Sequence, residues 1–171
     1  RNVAAGSSHY GIWLRPLEKP DGLSGALTEN ANHCPDHTPL GQFSDNVAHS
    51  TGKHGLKISN YFPTVDGWSC HGTDNDFGNQ LHDKATFSVP AVIERQTCFK
   101  NQHFGVWGEF LVDVHFDGLA VADAGIAGWE FGWVNGVGAA FATSRIANSI
   151  FAGNLQGSAP PTIERKKWRT T

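Results

Sequence analysis

The sequence predicts an all-β fold: an antiparallel β-sandwich or jelly roll, or a β-barrel, with long polar loops in its N-terminal part and at most one or two short helices. Three observations carry that prediction. Helix-period patterns are scarce along the chain. Asp117-Gly118 and Asn135-Gly136 each separate two alternating apolar runs, as tight hairpins do. Other short alternating segments lie between stretches rich in Gly, Pro, Asn, Asp and Ser.

Taken in order, "HYGIWLR" (9–15) alternates as a strand, with Tyr10, Ile12 and Leu14 on one face and His9, Trp13 and Arg15 on the other. Residues 20–55 hold turn and cap residues, with room for one short helix near 39–48. "LKISNYF" (56–62) reads as a strand, and "TFSVPAVIER" (86–95) as a strand that Pro90 pushes towards a sheet edge. "VWGEFLVDVHF", "LAVADA", "WEFGWV" and "VGAAFATS" then predict a four-stranded antiparallel meander over 104–142. No repeat is apparent. Residues 1–171 read as a single domain whose segment 158–171, Pro-rich and then basic, runs along the surface as a tail.

Composition narrows the function classes. The chain has 171 residues, enough for a core without staples, and a formal net charge of −3. That balance argues against nucleic acid as a partner, and no apolar run is long enough to span a membrane. Low charge (17%) and abundant Gly, Trp and Phe match a secreted or extracellular β-protein. The chain starts at Arg1 and contains no Met, as expected of a mature form whose leader has been removed. Cys34, Cys70 and Cys98 permit one internal disulfide at most, and spacing does not say which pair forms it.

Strand faces supply the candidate site. Over 106–116, Val106, Phe110, Val112, Val114 and Phe116 make an apolar core face, and Trp107, Glu109, Leu111, Asp113 and His115 the other. Folding back at Asp117-Gly118 would set His115 against Ala120 and Asp113 against Ala122, leaving a shallow floor open to groove or solvent. In the second hairpin Trp129, Phe131 and Trp133 share a face over Gly138, Ala140 and Ala142. Glu130 falls opposite them among apolar neighbours, which would raise its pKa, or at a strand end reaching water. Candidate catalytic residues are therefore His115, Asp113, Glu109 and Glu130, and candidate substrate contacts Trp107, Trp129, Trp13 and His103. His is the side chain whose ordinary pKa suits proton transfer near neutrality. Glu109 and Asp113 are about 13 Å apart along one strand, too far for paired carboxylates, so such a pair must span neighbouring strands.

Two stretches raise metal chemistry. "NHCPDH" places His33, Cys34 and His37 within five residues, the start of a zinc or copper set that lacks one or two ligands. In "WSCHGTDNDFGN" (68–79), Asp74, Asp76 and Asn79 with Gly78 offer hard oxygens for Ca2+, one residue short of the EF-hand spacing. A plain polar turn explains the same residues, and the leading reading requires no cofactor.

These features point to an extracellular enzyme acting on a sugar or other small polar substrate in an aromatic-lined groove, by carboxylate and His acid–base chemistry of a hydrolase, lyase or isomerase. The competing expectations are a lectin-like carbohydrate-binding module without catalysis, a metal-dependent β-barrel enzyme, and a structural coat protein.

Overall fold

Among the described residues, every strand pairs in parallel with the strand three elements away in the chain, and none with its neighbour in sequence. The computed structural model describes residues 1–31, 33–61, 63, 89–132 and 144–153. Coil one comprises β1 (Val3–Ala5), β2 (Tyr10–Leu14) and β3 (Phe43–Ser44), and coil two β4 (Val47–His49), β5 (His54–Tyr61) and β6 (Ala91–Glu94). Coil three comprises β7 (Thr97–Phe99), β8 (Phe104–Leu111) and β9 (Val114–Asp117), and coil four β10 (Ala120–Ala122), β11 (Ala127–Phe131) and β12 (Arg145–Ala147). Strand β13 (Ile150–Ala152) begins a fifth turn. Stacked coils give a first sheet β1-β4-β7-β10-β13, a second sheet β2-β5-β8-β11 and a third sheet β3-β6-β9-β12.

This β-helix-like arrangement overturns the expected antiparallel sandwich, jelly roll or barrel. The turn chemistry explains the misreading. A two-residue hairpin of type I′ needs φ > 0 at both central residues. Here Gly118 has φ 73° and Asp117 is still in strand, so the dipeptide bends the chain into the next sheet without reversing it. Left-handed residues recur at equivalent corners: Asp45, Arg95, Gly118 and Asn148 from third sheet to first, and Gly6, Ser50, Lys100 and Asp123 from first to second. Asn135-Gly136 and the surface tail at 158–171 lie outside the described residues. Strands were expected within 9–15, 56–62 and 86–95, and β2, β5 and β6 form there. The helix expected near 39–48 is absent; β3 and β4 occupy that stretch, and the short helical turns are Gly22–Gly25, Thr28–Asn30 and Pro35–His37.

Side chains of one column repeat from coil to coil. Phe43, Ile93, Phe116 and Ile146 are in register in the third sheet, and Ile12, Leu56, Val106 and Trp129 in the second. Leu56, Ile58, Ile93, Val106, Val114 and Phe116 are buried, and this interior supplies most of the stabilisation. Polar groups inside the corners pair along the same axis: the Thr51 hydroxyl donates to Asn101 Oδ1 at 2.8 Å, and the Asn2 side-chain amide donates to Asn46 Oδ1 at 3.1 Å. Outside, Arg95 grips Asp45 bidentately at 2.7 and 2.8 Å, and this holds the Asp45 carboxyl down at about 2.

A glycine column lets the first and second sheets approach. Gly11, Gly55, Gly105 and Gly128 fall at one register position of the second sheet. A Cβ on each would run into the inward residue of the next first-sheet strand: Ala48, Cys98, Val121 and Phe151 respectively. Burial in that contact pushes the Cys98 thiol up to about 12, so it packs as a small apolar group.

Gly55 and Gly41 test this close approach. A Cβ at Gly55 would sit 2.7 Å from the Gly105 carbonyl oxygen and 2.8 Å from Cys98 Sγ, whereas one at Gly41 meets nothing within 4 Å. Urea unfolding should show Gly55→Ala destabilised by about 1–3 kcal/mol. Gly41→Ala should be unchanged or stabilised by up to about 1 kcal/mol. Equal effects would remove the role given to the column.

Candidate functional site

The outer face of the second sheet gathers aromatic and ionisable side chains from four coils. Tyr10, His54 and Phe104 form one cross-strand column and Trp13, Lys57, Trp107 and Glu130 the next. In the first, the His54 ring stacks on Tyr10 (5.4 Å between centroids) and on Phe104 (5.2 Å), and also lies 5.3 Å from Trp107. In the second, Lys57 Nζ lies 4.4 Å from the Trp107 ring centroid, 4.9 Å from Tyr10 and 5.3 Å from Trp13. The Arg15 guanidinium covers Trp13 at 5.4 Å. Such contacts between a cation and a ring face contribute about 0.5–1 kcal/mol each at exposed sites.

Parallel stacking explains why these groups meet. Residues at one register position lie about 4.8 Å apart along the coil axis, and so a ring on each coil stacks on the next. Burial holds His54 neutral and lowers its pKa to about 4, helped by the positive charges of His103, Lys57 and Lys53. Its Nδ1 is buried with no hydrogen-bond partner among the described residues.

Of the expected substrate contacts, Trp13, Trp107 and His103 come together here, His103 lying edge-on to His54 at 5.8 Å. Trp129 does not join them. Its register continues the interior column of Val106, where it packs edge-on to Phe131 at 4.7 Å and remains 41% exposed. Glu130 is exposed on the outer face, in register with Trp107, so of its two expected settings the one that reaches water holds. Glu109 is next to Ser59 in register, two residues beyond Trp107 on the same strand. Trp133, Gly138, Ala140 and Ala142 lie outside the described residues.

Asp113 and His115 form a separate pair at the corner between second and third sheets. His115 Nε2 lies 2.8 Å from Asp113 Oδ1. Asp113 is buried and His115 nearly so, contrary to the expected opening to groove or solvent. His115 aligns with Val92 and Arg145, not with Ala120, because the strands are parallel. Val106, Val112, Val114 and Phe116 are buried as the face assignment requires, but Phe110 is only half-buried and Leu111 is buried in its stead. Positive φ at Phe110 (54°) and Asp113 (54°) resets the alternation there.

Tyr10, His54, Lys57 and Phe104, not among the residues expected at a site, complete the outer face. A signal for them exists. Each second-sheet strand opens on a similar tripeptide, "HYG" (9–11), "KHG" (53–55), "HFG" (103–105) and "IAG" (126–128), which is a repeat at unequal spacing.

Cys34, Asp36 and His37 are buried together, with potential ligand atoms within 4.8 Å of one another. Cys34 is disulfide-bonded, so its sulfur has no thiolate to offer a metal in this state. Asp74, Asp76 and Asn79, the expected calcium ligands, lie outside the described residues.

A family model described as CEMIP beta-helix matches residues 1–56. Fibrocystin-L of Mus musculus is 36% identical over 107 residues, covering 62% of this chain and 2% of that protein. Cell surface hyaluronidase CEMIP2 of Homo sapiens is 35% identical over 136 residues, covering 73% and 9%. The cell migration-inducing and hyaluronan-binding protein of Mus musculus is 28% identical over 178 residues, covering 97% and 12%. The chain thus spans about an eighth or less of the length of these relatives. No solved structure matches. The relatives include two proteins named cell surface hyaluronidases, in agreement with the secreted or extracellular setting expected from composition. No helix among the described residues is long and apolar enough to cross a membrane.

His54 makes the face acid-sensitive. Its pKa falls from 6.5 to about 4 on folding, so within that window the unfolded chain binds more protons. Stability is therefore lost as pH falls from about 6.5 through 4. Between pH 7 and 4, wild type should lose about 2–3 kcal/mol more unfolding free energy than His54→Phe, which keeps the ring stack. Parallel pH profiles for the two would contradict the assignment.

Proposed function

We propose that the outer face of the second sheet binds an extended acidic glycan of the hyaluronan type, and that carboxylates on the same face cleave it. The observation that supports the reading is the column Trp13–Lys57–Trp107, which sets a cation between two indoles on successive coils. Sugar rings have an apolar face that stacks on an indole, and an acidic sugar adds a charge that a lysine can meet. Relatives named as hyaluronidases and as a hyaluronan-binding protein agree with that ligand class.

For cleavage, Glu109 and Glu130 are the carboxylates that neighbouring strands bring together. Glu130 pairs with Trp107 and Glu109 lies two residues further, which puts their Cα atoms about 8 Å apart by strand rise and spacing. Paired carboxyl groups in glycosidases stand about 5–9.5 Å apart, so the two can share one glycosidic bond as acid and base or nucleophile. The Asp113–His115 pair is the second acid–base candidate, on the adjoining corner. The metal-dependent barrel enzyme falls with the barrel. A lectin-like face without turnover differs from the proposal only in the role of the carboxylates.

Hyaluronan oligosaccharides test both parts. Trp13→Ala and Trp107→Ala should each weaken binding about tenfold, on the order of 1.4 kcal/mol. Glu109→Gln and Glu130→Gln should abolish chain shortening while binding persists. Wild-type binding without any shortening would leave the lectin-like reading standing. Unchanged affinity in both tryptophan variants would remove the binding face.

A further inference from the structure

On the glycan-binding reading above, we infer that Lys57 is the specificity-determining residue of the face: it selects an acidic sugar by taking its carboxylate between two stacking rings. The side chain is half-buried, and no carboxylate pairs with it among the described residues. Its ammonium is surrounded by the rings of Tyr10, Trp13 and Trp107. A cation held among rings without a counter-ion keeps its capacity for a charge-assisted hydrogen bond, and its weakly polar surroundings strengthen that bond once made.

Spacing fixes which sugar it meets. Trp13 and Trp107 are two coils apart, about 9.6 Å, roughly the length of an extended disaccharide. A glycan running along the column therefore lays like sugars on the two indoles and the alternating sugar over Lys57. In a polymer that alternates acidic and neutral sugars, one frame places a carboxylate at Lys57 and neutral rings on the tryptophans. Glu130 lies two coils from Lys57 in the same column, where the next carboxylate of that frame falls. Like charges meet there, so Lys57 and Glu130 act in opposite directions on an acidic ligand and on nothing else.

The experiment compares a hyaluronan octasaccharide with its carboxyl-reduced, uncharged counterpart, on the full chain, by calorimetry. Wild type should prefer the acidic form about tenfold or more, as one charge-assisted contact allows. Lys57→Gln should lose that preference by weakening the acidic form alone, Lys57→Arg should restore most of it, and Glu130→Gln should tighten the acidic form alone. Circular dichroism and a melting temperature near wild type show each variant folded. A folded Lys57→Gln that still prefers the acidic form, or that loses both ligands equally, overturns the assignment while the binding face stands. Wild type that binds both forms equally also overturns it. Wild type that binds neither removes the face itself, and the role of Lys57 with it.

Discussion

Each coil must lie in register on the one before it, and that single constraint sets the shape of this molecule. Among the described residues, the backbone hydrogen bonds of every strand run to strands one coil away, so no strand is paired within its own coil. A coil closes on itself only if the chain bends sharply at its corners, and from third sheet to first and from first to second the bend is made by one left-handed residue. Glycine takes that conformation without strain at Gly6 and Gly118; elsewhere Asp45, Ser50, Arg95, Lys100, Asp123 and Asn148 take it at a cost that the stack offsets. The glycine column has the same origin. Two sheets that meet at a tight corner leave no space for Cβ atoms on both, and the second sheet yields.

The same register builds the outer face. In an antiparallel hairpin, cross-strand neighbours are close in sequence. Here Tyr10, His54 and Phe104 are neighbours although 44 and 50 residues separate them in turn, and Trp13, Lys57 and Trp107 follow the same pattern. Between second and third sheets, coil three turns in two residues, Val112 and Asp113, while coils one, two and four carry 15–42, 62–90 and 132–144 at that corner. Chain length is thus added at one edge only, and the column of rings stays uninterrupted.

The strands within 9–15, 56–62, 86–95 and 106–116 were readable because they depend on local alternation. By contrast, β3 and β4 lie where a helix was expected, and Asp117-Gly118 bends the chain where a reversing hairpin was expected. Strand pairing was not readable, because it depends on contacts across unequal insertions. With them removed, "VAAGSSHYG" (3–11), "VAHSTGKHG" (47–55), "TCFKNQHFG" (97–105) and "AVADAGIAG" (120–128) align residue for residue. The insertions hid that repeat. Reading it as hairpins put Trp129 among the candidate substrate contacts, although its register places it in the interior column, and it left Lys57 and His54 among loop and strand residues of no assigned purpose. Trp13, Trp107 and Glu109 could be assigned to a non-core strand face without knowledge of pairing, because tryptophans and carboxylates stand out in an alternating run.

Net charge and local charge also part company here. A formal charge of −3 argues against ligands whose phosphates recur at every nucleotide, since affinity for those comes from many neutralised charges. An alternating glycan carries its charge more sparsely, and the proposed face meets it with Lys57 set among rings and Arg15 over Trp13. On such a face the tryptophans supply most of the contact and the cation supplies discrimination, so few charges are released and binding depends only weakly on salt. Burial of His54 completes the arrangement. Held neutral, it adds aromatic surface without adding a further positive charge, and Lys57 remains the one cation of its column.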